Sequence, residues 1–350
     1  MKKHPEILVI NPGSTSTKLG YFTGTRPEEI KSVNHLTDAK WNTLTEELQF
    51  EIRLRETEIF VRHRKPDIIM ARGGLLKPLP SGVYVINNKM LDDLKRSPMK
   101  HASNSAAPIA KMISDKLGVP AYIADPVTVD ELDDIARFSG HPLFQRKSVF
   151  HALNHKAVAR TYARQKGKNY EDLNLIVVHM GGGISIGAHK KGKVVDVNQA
   201  LDGEGPFSPE RSGTLPAGDL VRTAFSGKFT RAQMLEMITG KGGVKAYTNT
   251  ADIKEILEKN NPEQVKTVDA MIYQIAKYVG EMIIVFKGNV DAILLTGGLA
   301  KSGYIINNLK SYLSFLNLDI RVFPGENELE ALAFNGTLLW NGQIDAKIYK

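Results

Sequence analysis

The chain has 350 residues, 42% of them hydrophobic and 24% charged, a composition and length that suit two globular domains with a core each. It has no cysteine, which excludes disulfides, zinc–thiolate centres and thiol nucleophiles. The net charge of +8 comes without a dense Lys/Arg block interleaved with aromatics, so it points to a small anionic substrate rather than to nucleic acid.

Met1 to Pro5 runs straight into Ile7–Ile10, leaving no room for a signal peptide, and no apolar run approaches the roughly 18 residues of a membrane span. A cytoplasmic protein without a membrane partner is the expectation. Ile7 to Phe22 reads as a buried strand, a polar residue (Asn11), a turn with Gly13, Ser14, Thr15, Ser16 and Thr17, then Lys18 and a second strand. Hydroxyls, open amides and one ammonium are phosphate ligands. Thr23 to Glu29 reads as a polar loop, and apolar spacing over 36–65 reads mainly as helix. Pro66 to Ala71 is a short buried strand that ends in Arg72-Gly73-Gly74. An arginine there sits where α/β sheets place ligands, or it is a surface residue before a loop.

Ser103 or Asn104 is placed to cap a helix over 106–117. Val119 to Ala124 is a strand leading to Asp125-Pro126, a turn former or a strand-end functional carboxylate. A boundary near residue 148 follows, and Phe150 to Lys156 opens a helix. His151 and His155 share a face of it. Without an H-E-x-x-H pattern they are not expected to bind metal; one is free to face phosphate and the other to be structural. Leu175 to Val195 repeats the first hairpin, with His179 in the place of Asn11 and Gly181-Gly182-Gly183 at the tip. Such a tip serves a tight turn or closes its amides on an anion.

Residues 198–213 form a long loop dense in turn formers and charges, the kind that carries function. Residues 217–240 and 252–287 read as helices, the second with a core-facing stripe from Val268 to Ile283. Ala292 to Gly303 is a third glycine signal, a strand followed by Gly297-Gly298 and a helix start suited to phosphate or ribose. Ile320–Phe323 is a strand, and a final helix runs over about 329–340. The repeated hairpin indicates a duplicated α/β domain with nucleotide between the halves.

These motifs together resemble the acetate kinase family, most closely its butyrate kinase branch, over essentially the whole chain. They are N-P-G-S-T-S-T-K at 11–18, A-R-G-G-L-L at 71–76, H-A-S-N at 101–104 and F-H-A-L-N-H at 150–155. H-M-G-G-G-I-S at 179–185, A-L-D-G-E-G-P-F-S-P-E-R-S-G at 200–213 and T-G-G-L-A at 296–300 complete the set. The resemblance implies two duplicated ribonuclease-H-like domains of the actin-like ATPase type, with a ββαβαβα core and a nucleotide cleft between them. The expected domains are 1–148, completed by a C-terminal helix at 331–350, and a nucleotide-binding 149–330.

It also implies the reaction, reversible phosphoryl transfer between ATP with Mg2+ and a short-chain carboxylate, giving acyl phosphate and ADP. By match to the family's motifs, Asn11, Ser14, Ser16 and Lys18 form the first phosphate loop, with Asn11 near the magnesium. His179, Gly181 and Gly183 form the second, and Gly297, Gly298 and Ala300 the nucleotide loop. Asp125 matches the active-site aspartate, His151 the histidine that contacts the transferred phosphoryl group, and Arg211 the arginine on substrate and transition state. Glu328 matches the magnesium-linked glutamate, with Glu326 as competitor. A homodimer or higher homo-oligomer is expected.

Two departures stand out. Acetate kinases carry an arginine three residues before a His-Gly-Gly; here that position is Ile69 and the histidine position is Arg72, which is expected to supply the charge from a shifted place. Ala71 stands where acetate kinases usually carry a valine that walls the acyl pocket, which implies room for a longer chain, unless Phe150 sets the limit. Rival readings are an acetate or propionate kinase, a sugar kinase on the same fold, and an actin-like assembly ATPase.

Overall fold

Uninterrupted aliphatic runs become central strands because both of their faces must be covered. Ile7, Leu8, Val9 and Ile10 have no exposed surface, and neither do Leu175 to Val178. The computed structural model describes residues 4–13, 16–37, 40–97 and 101–350; Ser14, assigned to the first phosphate loop, lies outside them. The strands are, in chain order, β1 (Glu6–Pro12), β2 (Ser16–Thr23), β3 (Arg26–Asn34), β4 (Ile68–Arg72), β5 (Val83–Val85) and β6 (Ala121–Ala124). They continue as β7 (Asn174–Met180), β8 (Ile184–Lys190), β9 (Lys193–Val197), β10 (Ala292–Gly297), β11 (Asp319–Pro324) and β12 (Ala346–Ile348).

The chain divides into two compact units, Met1–Val129 with Asn327–Lys350, and Asp130–Glu326. The sequence puts the corresponding boundaries at 148/149 and 330/331. Charge pairing explains why 130–148 goes with the second unit. Glu131 takes the ammonium of the buried Lys156 at 2.6 Å, and Arg146 pairs with Asp196 and Glu204.

The first unit's sheet runs β12-β5-β6-β4-β1-β2-β3, the second's β11-β10-β7-β8-β9. Within each, the first three strands form an antiparallel meander and two later strands add in parallel on the other side; the first unit has β5 besides, antiparallel to β6, and β12 at the edge. β1 pairs with β4 and β4 with β6, as β7 pairs with β10 and β10 with β11. Even the register irregularity in the second ladder recurs, at Tyr21/Phe22 and at Ala188/His189. The duplication is therefore one of topology as well as of motif.

Helices cover the sheet faces where their sequences dictate. Along β7 the side chains alternate. Ile176 and Val178 join the stripe of helix Pro262–Val285 (Val268, Met271, Ile272, Ile275, Val279, Met282), while Leu175 and Val177 meet Val158, Ala159 and Tyr162 of helix Ala152–Gln165. In the first unit, Thr45 caps helix Glu46–Val61 by accepting from the Leu48 amide, and Glu46 and Glu47 complement its N-terminal dipole. Helix Glu328–Trp340 packs on β1 and β4.

Four local expectations are corrected. The loop expected over Thr23–Glu29 is a turn at Gly24 followed by β3, an edge strand whose charged, exposed residues hide its ladder with β2 from any periodicity reading. The helix expected over 217–240 is two, Ala217–Ala224 and Arg231–Thr239, the second opened by a capping box of Thr230 and Gln233. The helix expected over 252–287 breaks at Asn260, in left-handed conformation, between Ile253–Lys259 and Pro262–Val285. Neither Ser103 nor Asn104 caps helix Ala106–Leu117. Its N-cap is Ser105, and the Asn104 side-chain Oδ1 instead accepts from the Leu75 amide at 2.8 Å.

Candidate functional site

In the first unit Asn11, the penultimate residue of β1, lies directly opposite Lys18 of β2, and the turn closes with the Gly13 amide donating to the Ser16 carbonyl at 2.7 Å. Beneath it lies a residue that sequence reasoning missed. Arg53, only 2% exposed, donates from Nη2 to the Gly13 carbonyl at 2.6 Å and lies over the Trp41 ring at 4.7 Å. Trp41 stacks on His35, which bonds Thr17 at 2.7 Å. Burial pushes the Arg53 guanidinium down to about 10, still a cation at neutral pH. Within R-L-R-E-T-E it is indistinguishable from the exposed Arg55 two residues on.

Asn11, Arg72 and Glu328 form one hydrogen-bonded group. Asn11 Nδ2 donates to Glu328 Oε2 at 2.8 Å, and Arg72 Nη1 donates to the same oxygen at 3.0 Å and to Asn11 Oδ1 at 3.3 Å. Glu328 is nearly buried and opens its helix, where free amides and the dipole favour a carboxylate. Glu326 belongs to the second unit, where its backbone carbonyl accepts from Asn154, so the carboxylate beside Asn11 is that of Glu328.

Asp125 follows β6 with φ +38°, left-handed backbone that costs on the order of 1 kcal/mol or more for a non-glycine residue. Its buried Oδ1 accepts from Ser81 Oγ at 2.6 Å and from the Gly82 amide at 2.9 Å. A Cβ on Gly73 would lie 2.3 Å from Pro126 Cβ, so the Arg-Gly-Gly strand end passes too close to this turn for any side chain. Ala71 has no exposed surface and lies in the apolar cluster of Leu8, Ile10 and Ile69.

In the second unit β7 ends at His179 and Met180, and the Gly181 amide closes the tip on the Gly183 carbonyl at 3.0 Å. Arg211 reaches this tip from the long loop. Its Nη1 donates to the Ala200 carbonyl at 2.6 Å, and it occupies the space a Gly183 side chain would need. Buried Ser208, another residue not singled out from sequence, fixes the approach. Its hydroxyl donates to the Gly182 carbonyl at 2.6 Å and accepts from the Arg211 amide at 3.0 Å. Burial lowers the Arg211 pKa, with Glu210 opposing the shift.

Gly297, at φ +93°, brings the end of β10 against the Met180 carbonyl, where a Cβ would come within 2.3 Å. Gly298 faces open space, and Ala300 is buried in the core. His151 and His179 stack with centroids 3.8 Å apart. Because Asn154 Nδ2 donates to the Glu326 carbonyl, its Oδ1 faces His179 Nδ1 at 2.8 Å, so His179 carries a proton on Nδ1. Phe150 is buried edge-on to His155. The structure thus groups Asn11, Arg72 and Glu328 in one unit, and His151, His179, Gly183 and Arg211 around the hairpin tip of the other.

The sequence profile of the Acetokinase family matches residues 140–325. Butyrate kinase 1 of Clostridium acetobutylicum is 48% identical over 355 residues, covering 98% of this chain and 99% of that protein. The chain belongs to the acetokinase family. Butyrate kinase 2 of the same organism is 47% identical at 99% coverage of both. The crystal structure of a propionate kinase from Francisella tularensis superposes with a TM-score of 0.77 at 19% identity, covering 95% of this chain and 98% of that one. Porphyromonas gingivalis acetate kinase gives 0.74 at 18%, covering 96% and 100%. The fold is that of these family members, duplicated α/β units of the actin-like ATPase type. Kinases of this family use ATP and ADP. Among the described residues no helix is long and apolar enough to cross a membrane.

Proposed function

We propose that the protein is a short-chain fatty acid kinase of the butyrate kinase type. A carboxylate oxygen attacks the γ-phosphorus of ATP, the bond to the β-phosphate oxygen breaks, and acyl phosphate and ADP result; the reverse makes ATP. The observation that carries this is the 48% identity to a butyrate kinase across nearly all of both chains. No proton need move, because the carboxylate is already ionised at neutral pH. The obstacle is repulsion between two anions, and it calls for positioned positive charge rather than for a base.

Arg211, held at the hairpin tip by Ser208 and Ala200, stabilises the charge that develops on the transferred group. His151 donates a hydrogen bond to the same group. Lys18 and the backbone amides of the two hairpins hold phosphate oxygens, and Gly297 and Gly298 lie along the nucleotide. Asp125 orients a donor or a metal-bound water.

Asn11 and Glu328 offer hard oxygen donors that fit magnesium, which keeps most of its waters and takes one or two protein ligands. Among the described residues no cluster of three or more acidic or histidine side chains is arranged to hold a metal alone, which suits an ion that arrives with the nucleotide. When bound, magnesium neutralises the phosphate oxygens. Arg72, bonded to Glu328, sets the direction in which that carboxylate points.

Hydroxamate formation from acid, ATP and hydroxylamine, over linear and branched C2 to C6 acids, tests the reading. Butyrate or isobutyrate is expected to exceed acetate by about 10- to 100-fold, from pocket discrimination of one or two methylenes. A maximum at acetate or propionate would reassign the substrate. Phosphate release without hydroxamate would indicate an assembly ATPase.

A further inference from the structure

Behind His151 a chain of hydrogen bonds runs into the core of the second unit. His151 Nδ1 lies 2.9 Å from Ser185 Oγ, which is 2.9 Å from His155 Nε2. His155 Nδ1 is 3.2 Å from His189 Nε2, and His189 Nδ1 is 2.6 Å from the Tyr170 hydroxyl. Ser185, His155 and His189 have no exposed surface, and Tyr170 has 4%. The geometry has a sequence basis. His151 and His155 are one helical turn apart, while Ser185 and His189 share one face of β8. Gly187 between them leaves the space His155 needs, since a Cβ there would come within 3.3 Å of its Nδ1.

Each imidazole of this chain offers one donor and one acceptor. The Ser185 hydroxyl can accept twice, but it is fully buried, its contacts among the described residues are His155 and His151, and its single O–H must find an acceptor there, so the polarity runs one way throughout. Burial pushes His155 and His189 well below the ordinary histidine range, which keeps both neutral, with a single N–H each. The direction is set at the tyrosine. A phenol O–H is far more acidic than a neutral imidazole N–H, so the stronger bond has the Tyr170 hydroxyl donating to His189 Nδ1. His189 Nε2–H then donates to His155 Nδ1, His155 Nε2–H to Ser185 Oγ, and the Ser185 hydroxyl to His151 Nδ1.

We propose that Tyr170, His189, His155 and Ser185 are positioning residues that lock His151 in its Nε2–H tautomer, so that Nε2 is the donor toward the transferred phosphoryl group. The inference rests on the role assigned to His151 under the proposed function. His179, held with its proton on Nδ1 by Asn154, has the complementary tautomer, so the stacked pair is fixed from two independent sides.

The test is the 15N–1H long-range correlation pattern of 15N-histidine protein, with His151 assigned from the spectrum of His151→Gln. The expected wild-type pattern is that of the Nε2–H tautomer. Tyr170→Phe should convert His151 to a mixture of tautomers and lower kcat about 10-fold, with KM for ATP unchanged. Ser185→Ala should lower kcat about 10- to 100-fold, part of what loss of a transition-state donor costs. Adding Tyr170→Phe to Ser185→Ala should cost nothing further, because the chain is already cut. A His151 proton on Nδ1 in the wild type, or an unchanged His151 spectrum in Tyr170→Phe, would overturn the proposal. Additive kcat losses would reduce these residues to packing. Should Ser185→Ala not fold, Tyr170→Phe and the wild-type spectrum decide alone. A wild-type protein without kinase activity but with the expected spectrum would refute the function and leave the tautomer assignment standing.

Discussion

Gly183→Ala isolates Arg211 without touching it. The added Cβ would lie 2.0 Å from Arg211 Nη1, 2.7 Å from its Cζ and 3.1 Å from the Ala200 carbonyl oxygen. The first two separations are well inside van der Waals contact, and Gly183 is not in the left-handed region, so alanine adds no backbone strain there. The yielding partner is the end of a flexible side chain. The guanidinium must swing away, giving up its 2.6 Å bond to Ala200. Giving up one hydrogen bond from a charged group costs about 1.5–3 kcal/mol, less than the roughly 5–15 kcal/mol that holds a domain folded, so the variant should fold.

Its catalytic loss should approach that of removing the group. A preorganised donor to developing charge contributes on the order of 100- to 1000-fold in kcat. Gly183→Ala is therefore expected to lose about 100-fold or more, and Arg211→Ala about as much, each with much smaller changes in ATP binding. The decisive measurement is the double variant by hydroxamate assay. With Arg211 already alanine the clash is gone, so Gly183→Ala should cost less than about threefold there. A Gly183→Ala enzyme with wild-type kcat, or one that loses the same factor in both backgrounds, would refute the argument that Gly183 is small for the sake of Arg211.

Glu328→Gln keeps the shape but removes the charge that Asn11 and Arg72 share, so the magnesium needed for half-maximal rate should rise by about tenfold or more; an unchanged magnesium titration would take Glu328 out of the metal site. Ala71→Val adds two methyl groups at a position without exposed surface, and is expected to lower the butyrate-to-acetate ratio of kcat/KM by about tenfold. If Ala71 is core alone, the ratio will hold while Tm falls, since overpacking costs about 1–3 kcal/mol. Burial depresses His35 to about 4 and His155 and His189 well below the ordinary value. The unfolded chain takes up these protons from about pH 6.5 downward and the folded chain does not, so stability should fall from about pH 6.5 toward pH 4. Urea midpoints that stay level over that range would contradict the neutral assignment.

The sequence by itself determined the central strands, both glycine hairpins and the strand-end polar residues, because a strand covered on two faces must be aliphatic and a close backbone approach admits only glycine. Gly183 and Gly297 stood out in the sequence as loop glycines, but not what crowds them, Arg211 and Met180, and Gly73 against Pro126 did not stand out at all. It did not disclose β3, whose charged residues are held by ladder bonds to β2 rather than by burial. Nor did it separate Arg53 from its solvent-facing neighbours, or distinguish Glu328 from Glu326. Those distinctions depend on which neighbour a side chain meets across 40 or 317 residues of chain, as Arg53 meets Gly13 and Glu328 meets Asn11. The histidine chain is of the same kind. Four-residue spacings in a helix and a strand are visible in the sequence, but only the packing of helix Ala152–Gln165 over β8 brings His155, Ser185 and His189 within hydrogen-bonding distance and excludes the water that would otherwise satisfy each of them separately.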